Sequence, residues 1–144
     1  MAVGEAKVEP RPVPPAEPPR PRDGTILVID DNATAREALQ KILNHKGFHV
    51  ETAASGDEGL RRARQLHPGV IMLDAVMPGM DGRAVLAALK AEPELTDIPV
   101  VLCTGMADDR KEAFRLGASA YVMKPVEPDH LTAILRRYYG SADW

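Results

Sequence analysis

TILVIDDNATAREALQKILNHKGFHV, residues 25–50, changes its hydrophobic period twice. Residues 25–29 are a continuous apolar, β-branched run closing on Asp30 and Asp31, the pattern of a strand buried on both faces. Ala35, Ala38, Leu39, Ile42 and Leu43 then recur at the i, i+3, i+4 spacing of a helix, and Gly47 stands at the C′ position that stops it. FHVET (48–52) reads as a second, weaker strand. A strand, a helix and a strand joined so closely form a βαβ unit, whose strands run parallel.

The alternation continues to the end of the chain. Ser55 and Glu58 make an S-x-x-E capping box for a helix carrying Leu60, Ala63 and Leu66. VIMLD (70–74) is a third strand, and the loop AVMPGMDG follows, with Asp81 placed to cap a helix carrying Val85, Leu86 and Leu89. IPVVLCT (98–104) is a fourth strand; a short helix to Leu116 ends at Gly117, and AYVMK (120–124) is a fifth strand. Pro128 suits the first turn of a last helix carrying Leu131, Ile134, Leu135 and Tyr138, closed by Gly140. Five strand–helix units predict an α/β fold, a doubly wound parallel sheet with helices on both sides.

Composition narrows the function classes. The chain has 144 residues, one domain's worth, with a formal net charge of −3 and 44% apolar residues. No polybasic footprint for nucleic acid or a membrane surface is present, and no apolar run is long enough for a transmembrane helix. The single Cys103 excludes an internal disulfide and a cysteine-based zinc site; in a hydrophobic strand it reads as core packing. Seven of the 13 prolines fall within residues 1–24, where acids and bases balance. We expect a Pro-rich disordered tail over 1–24, with Pro12, Pro15 and Pro18 in a PxxPxxP spacing, a folded unit over 25–139 and a short end over 140–144. The start lacks a signal-peptide pattern, which predicts a cytoplasmic protein.

Ligands of open α/β sheets bind beyond the carboxyl ends of the strands. Those ends carry Asp30 and Asp31, then Asp74, Thr104 and Lys124. Each alone has an ordinary explanation as a turn residue, cap or solvated charge. Together they place three carboxylates on one rim, where they repel unless a cation or raised pKa values relieve them. Hard oxygen ligands on an open rim suit Mg²⁺, and the lysine and threonine supply the charge and hydroxyl that a transferred phosphoryl group needs.

ILVIDDNATAREAL, VIMLDAVMPGMDG, PVVLCTGMAD and AYVMKP, in that order over residues 25–139, resemble the receiver domain of two-component response regulators, whether single-domain or of the hybrid-kinase type. The resemblance implies a flavodoxin-like sheet of strand order 2-1-3-4-5. It implies a phosphoacceptor switch rather than an enzyme: Asp74 takes the phosphoryl group, and Asp30, Asp31, Asp74 and the backbone carbonyl of Val76 hold Mg²⁺. Thr104 and Lys124 would contact the phosphoryl oxygens, and Thr104 and Tyr121 would carry the switch to the face made by the fourth helix, fifth strand and last helix. Pro125 would follow a cis peptide. Val76 and Met106 would flank the path of the hydrolytic water, so that their apolar side chains prolong the phosphorylated state. The Thr104–Lys124 interval of 20 residues departs from the family pattern by being slightly short.

The partners implied are a histidine kinase or histidine phosphotransfer protein and a downstream protein target, with phosphorylation-dependent homodimerisation also compatible. No nucleic acid and no membrane are expected as partners. An aspartate-nucleophile Mg²⁺ phosphatase of the haloacid dehalogenase type competes, but its nucleophile belongs in a D-x-D pattern on the first strand, where this chain has Asp30-Asp31-Asn32. A flavodoxin-like carrier would need a hydroxyl-rich phosphate loop where DDNAT is acidic. Val28, Leu73 and Leu102 are the expected apolar walls of the site, lowering the local dielectric around it.

Overall fold

The computed structural model describes residues 25–75, 77, 82–105 and 110–139. The tail, Val76, Asp81, Met106, Gly140 and the short end lie outside the described residues. Five strands alternate with helices: β1 (Thr25–Ile29), α1 (Ala33–His45), β2 (His49–Ala53), α2 (Gly56–Leu66), β3 (Val70–Asp74), α3 (Gly82–Ala91), β4 (Val100–Thr104), α4 (Arg110–Arg115), β5 (Ala120–Met123) and α5 (Pro128–Tyr139). The strands form one parallel sheet, as the sequence pattern predicts, in the order β2-β1-β3-β4-β5 that the family resemblance implies.

Local chemistry sets the helix ends. The Asn32 side chain accepts from the Ala35 N–H at 3.0 Å and caps α1, a cap the hydrophobic pattern alone did not reveal. At the other end Gly47 has φ 98°, its N–H donates to Asn44 and that of Phe48 to Leu43, the two bonds of a Schellman stop. Phe48 is therefore part of that stop, and β2 begins at His49 rather than Phe48. Ser55 accepts from Glu58 N–H at 3.1 Å, while the Glu58 carboxylate reaches back to the Ala54 N–H at 2.8 Å, one residue earlier than the usual capping box.

Side chains alternate across each strand and so build two cores. Leu27, Ile29, Ile71, Leu73 and Leu102 pack with Leu60 of α2, Val85, Leu86 and Leu89 of α3, and Ala113 of α4. Ile26, Val28, Met72, Cys103 and Val122 pack with Leu43 of α1 and Leu131, Ile134 and Leu135 of α5. The first face is drawn in tightly. A Cβ on Gly59 would stand 2.5 Å from Ile29 Cδ1, and one on Gly82 would stand 2.3 Å from the Asp74 carbonyl oxygen. On the second face α1 is less engaged than its five-residue apolar stripe predicts. Leu43 is fully buried, Ala35, Leu39 and Ile42 are half-buried, and Ala38 is exposed.

Candidate functional site

Parallel pairing brings the strand ends to one rim. Asp74 stands opposite Cys103 and Thr104 opposite Met123, and the Lys124 N–H donates to the Thr104 carbonyl at 2.9 Å. β1 enters between β2 and β3, and the Asp30 N–H donates to Ala53 at 3.1 Å, so the rim starts where β1 leaves the sheet. The Lys124–Pro125 peptide bond is cis.

The side chains converge. Carboxylate oxygens of Asp30, Asp31 and Asp74 lie within 4.8 Å of one another, with Asp30 and Asp74 buried and Asp31 exposed. Lys124 Nζ donates to Asp74 Oδ1 at 2.8 Å and stands 4.0 Å from Asp30 Oδ2. One Asp30 oxygen accepts from the Asn32 N–H at 2.9 Å. Thr104 is 1% exposed at the end of β4. Tyr121 lies half-buried on β5, and its hydroxyl stands 3.6 Å from Met123 Sδ.

Electrostatics follow from that crowding. Burial pushes the Asp30 carboxyl above its ordinary value of 3.8; the Asn32 N–H pulls it back, and the negative charge of Asp74 adds to the rise. At Lys124 burial works to lower the ammonium's pKa, but the hydrogen bond to Asp74 and the charges of both aspartates outweigh it, and the net shift is upward. A lysine held charged against two buried carboxylates is a fixed point charge aimed at Asp74. The donors are all hard oxygens, one carboxylate open to solvent and two beneath it, a set that suits a small divalent cation.

Two contributors escaped the sequence reading. Arg36 Nη1 donates to the Asp30 carbonyl oxygen at 2.8 Å and ties α1 to the acidic turn; an arginine one helical turn beyond a strand end was the only signal. Gly82 begins α3, its N–H donates to Ala75 at 3.0 Å, and its missing side chain lets the helix press on the backbone of Asp74. A glycine at the start of a helix is its one mark in the sequence. Of the expected walls, Val28 faces the site, while Leu73 and Leu102 belong to the opposite core because neighbours on a strand alternate; Leu73 still borders the cavity, Leu102 does not, and Met72 and Cys103 lie beside the site instead.

The family model described as the response regulator receiver domain matches residues 26–136. Among curated proteins, the chain is 39% identical over 120 residues to the probable transcriptional regulator ycf27 of Porphyridium aerugineum, covering 82% of this chain and 49% of that protein. The chain spans about half the length of the curated relatives it matches. Among solved structures, the signal receiver domain of a signal transduction histidine kinase from Syntrophus aciditrophicus superposes with a TM-score of 0.75 at 32% identity, covering 83% of this chain and 92% of that one. The receiver domain of sensor histidine kinase PA1611 from Pseudomonas aeruginosa PAO1, described with a magnesium ion coordinated in its active site cleft, gives a TM-score of 0.75 at 26% identity over 82% of this chain and 98% of that one.

Proposed function

We propose, since this chain belongs to the response-regulator receiver family of two-component signalling, that Asp74 is its phosphoacceptor and takes a phosphoryl group from a phosphohistidine of a partner protein. The observation that carries the reading is the convergence of Asp30, Asp31 and Asp74 within 4.8 Å, with Lys124 Nζ 2.8 Å from Asp74 Oδ1. The phosphatase and flavodoxin-type alternatives are not favoured by the family match.

In this reading a carboxylate oxygen of Asp74 forms the new phosphorus–oxygen bond while the phosphorus–nitrogen bond to the partner's imidazole breaks, and the imidazole leaves with its electron pair. Asp30, Asp31, a carboxylate oxygen of Asp74 and the backbone carbonyl of Val76 would hold Mg²⁺. When bound, the ion offsets the negative charge that otherwise opposes the approach of a phosphoryl group to a carboxylate. Lys124 leaves its pairing with Asp74 for a phosphoryl oxygen, so its charge favours the product. Burial of Asp30, Asp74 and Thr104 strengthens each of these interactions by keeping the dielectric low.

The Thr104 hydroxyl turns to another phosphoryl oxygen, and Tyr121 follows it inward, which alters the face made by α4, β5 and α5 for a downstream protein target or a second copy. The domain is a switch whose only chemistry is its own phosphorylation and dephosphorylation. Residues 25–139 form the signalling unit, with 1–24 a tail and 140–144 a short end, in a cytoplasmic protein. By the family resemblance Val76 and Met106 would flank the path of the hydrolytic water, and their apolar side chains offer it no hydrogen bond, so the phosphorylated state would persist; Val76→Asn with Met106→Glu or Gln should shorten its lifetime.

Intact-mass measurement after incubation with acetyl phosphate tests the reading. The expected result is one phosphoryl adduct that requires Mg²⁺ and is absent from Asp74→Asn. An adduct that forms equally well in EDTA, or none on the wild type, rejects it.

A further inference from the structure

The loosely held half of α1 leaves a cavity. Between the helix and the sheet lies a space of about 240 Å³, floored by Val28, Met72 and Cys103 and roofed by Ala35 and Ala38. Pro125 and Val126 close its far side, and Asp30, Asp74 and Lys124 form one end. Its origin is plain in the sequence of α1: two alanines stand where larger side chains would have met the sheet. Leu39 and Ile42, half-buried, border the opening with their apolar surface only partly covered.

Size and charge together select an occupant. A dry cavity of about 150 Å³ accepts benzene, so this one has room for a phenyl ring and a short linker. Its polar end is lined by the carboxylates of Asp30 and Asp74 and the single ammonium of Lys124, and the exposed carboxylate of Asp31 lies within 4.8 Å of both aspartates. Even with the guanidinium of Arg36 counted, whose Nη1 is directed to the Asp30 carbonyl, that end stays negative. An apolar chamber with a negative end takes a molecule with an apolar body and a positive head, and repels one with an anionic head.

We propose that the cavity beneath α1 is a binding site for a small organic cation, an aryl- or alkyl-ammonium whose body lies on Val28, Met72 and Cys103 and whose charge rests against Asp30 and Asp74. Bound there, it holds Asp74 in its unphosphorylated state, because its head occupies the carboxylate face that the phosphoryl group must approach. This regulatory consequence, and competition with Mg²⁺, rest on the proposed function; the binding itself does not.

The test is amide NMR of the full chain titrated with 2-phenylethylammonium, with phenylacetate as the anion of similar shape. Saturable shifts are expected at residues 35–42, 72–74, 103, 124 and 126, with the cation bound at least tenfold more tightly than the anion. Added Mg²⁺ should weaken the cation's apparent affinity. Ala38→Leu, which fills the cavity from its roof, should abolish the shifts, and Ala35→Leu provides the same block from the preceding turn. A wild type without saturable shifts there, equal binding of the anion, or undiminished binding in both filled variants overturns the proposal. A separate Mg²⁺ titration without the amine keeps the two readings apart: failure of Mg²⁺ to bind strikes the proposed function and leaves the cavity's occupancy to the cation titration.

Discussion

The two faces of the sheet are packed to different standards. Where α2 and α3 meet it, glycines bring helix and strand so close that an added Cβ would fall 2.5 Å from Ile29 Cδ1 or 2.3 Å from the Asp74 carbonyl. Where α1 meets it, alanines stand back and leave about 240 Å³. The site lies on the seam between them. The tight face fixes the backbone of Asp74, the proposed phosphoacceptor, and the loose face leaves room beside its side chain. A carboxylate that must accept and release a bulky group needs both, a rigid anchor and a yielding neighbour.

That contrast breaks most readily at Gly82. Gly82→Ala drives a methyl into backbone on two sides, the Asp74 carbonyl and the Ala75 Cα at 2.6 Å, neither of which can turn away. We expect a loss of roughly 3 kcal/mol in urea unfolding, the upper part of the overpacking range, and impaired phosphorylation. Gly59→Ala sharpens the point. There the opposing atoms belong to the Ile29 side chain, which can shift, and alanine's better helix propensity offsets part of the strain; a net loss of about 1 kcal/mol or less is expected. Equal losses in the two variants would show that the anchoring of Asp74 has no special rigidity.

On the loose face the same kind of change should be tolerated. Ala38→Leu adds apolar volume to existing space, and its stability should stay within about 0.5 kcal/mol of wild type. A loss comparable to that of Gly82→Ala would mean that the two faces are packed alike.

The smallest effect lies at the cavity floor. Burial pushes the Cys103 thiol up from 9.0 to about 12, with the charge of Lys124 opposing the rise and those of Asp74 and Asp30 adding to it. The folded chain therefore holds its proton where the unfolded chain has lost it. Below pH 9 the thiol is neutral in both states and its contribution is complete; between 9 and about 12 the contribution fades as pH rises. Cys103→Ala should flatten that alkaline decline in thermal unfolding, and a decline of unchanged slope would show the thiol plays no part in it.

Much of this architecture was legible because parallel strands buried on both faces announce themselves as unbroken apolar runs. Once VIMLD and VVLCT are strands, Asp74 and Thr104 must stand at their carboxyl ends, and the rim follows from topology. What escaped depended on distances between elements. The stripe of α1 showed which residues face inward, but not that the helix would stand off and expose Ala38. Leu102 and Cys103 are adjacent in an evenly apolar strand, so nothing in their order told which one faced the site. Gly82 and Arg36 act through backbone atoms of Asp74 and Asp30, contacts that no side-chain pattern records.

Of three neighbouring carboxylates, the proposed phosphoacceptor is Asp74 alone. Borohydride reduces an aspartyl phosphate to homoserine and leaves free carboxylates untouched. After phosphorylation with acetyl phosphate and Mg²⁺, reduction and peptide mapping, homoserine is expected at position 74, with aspartate retained at 30 and 31. Homoserine at position 30 or 31, with Asp74 intact, would contradict it.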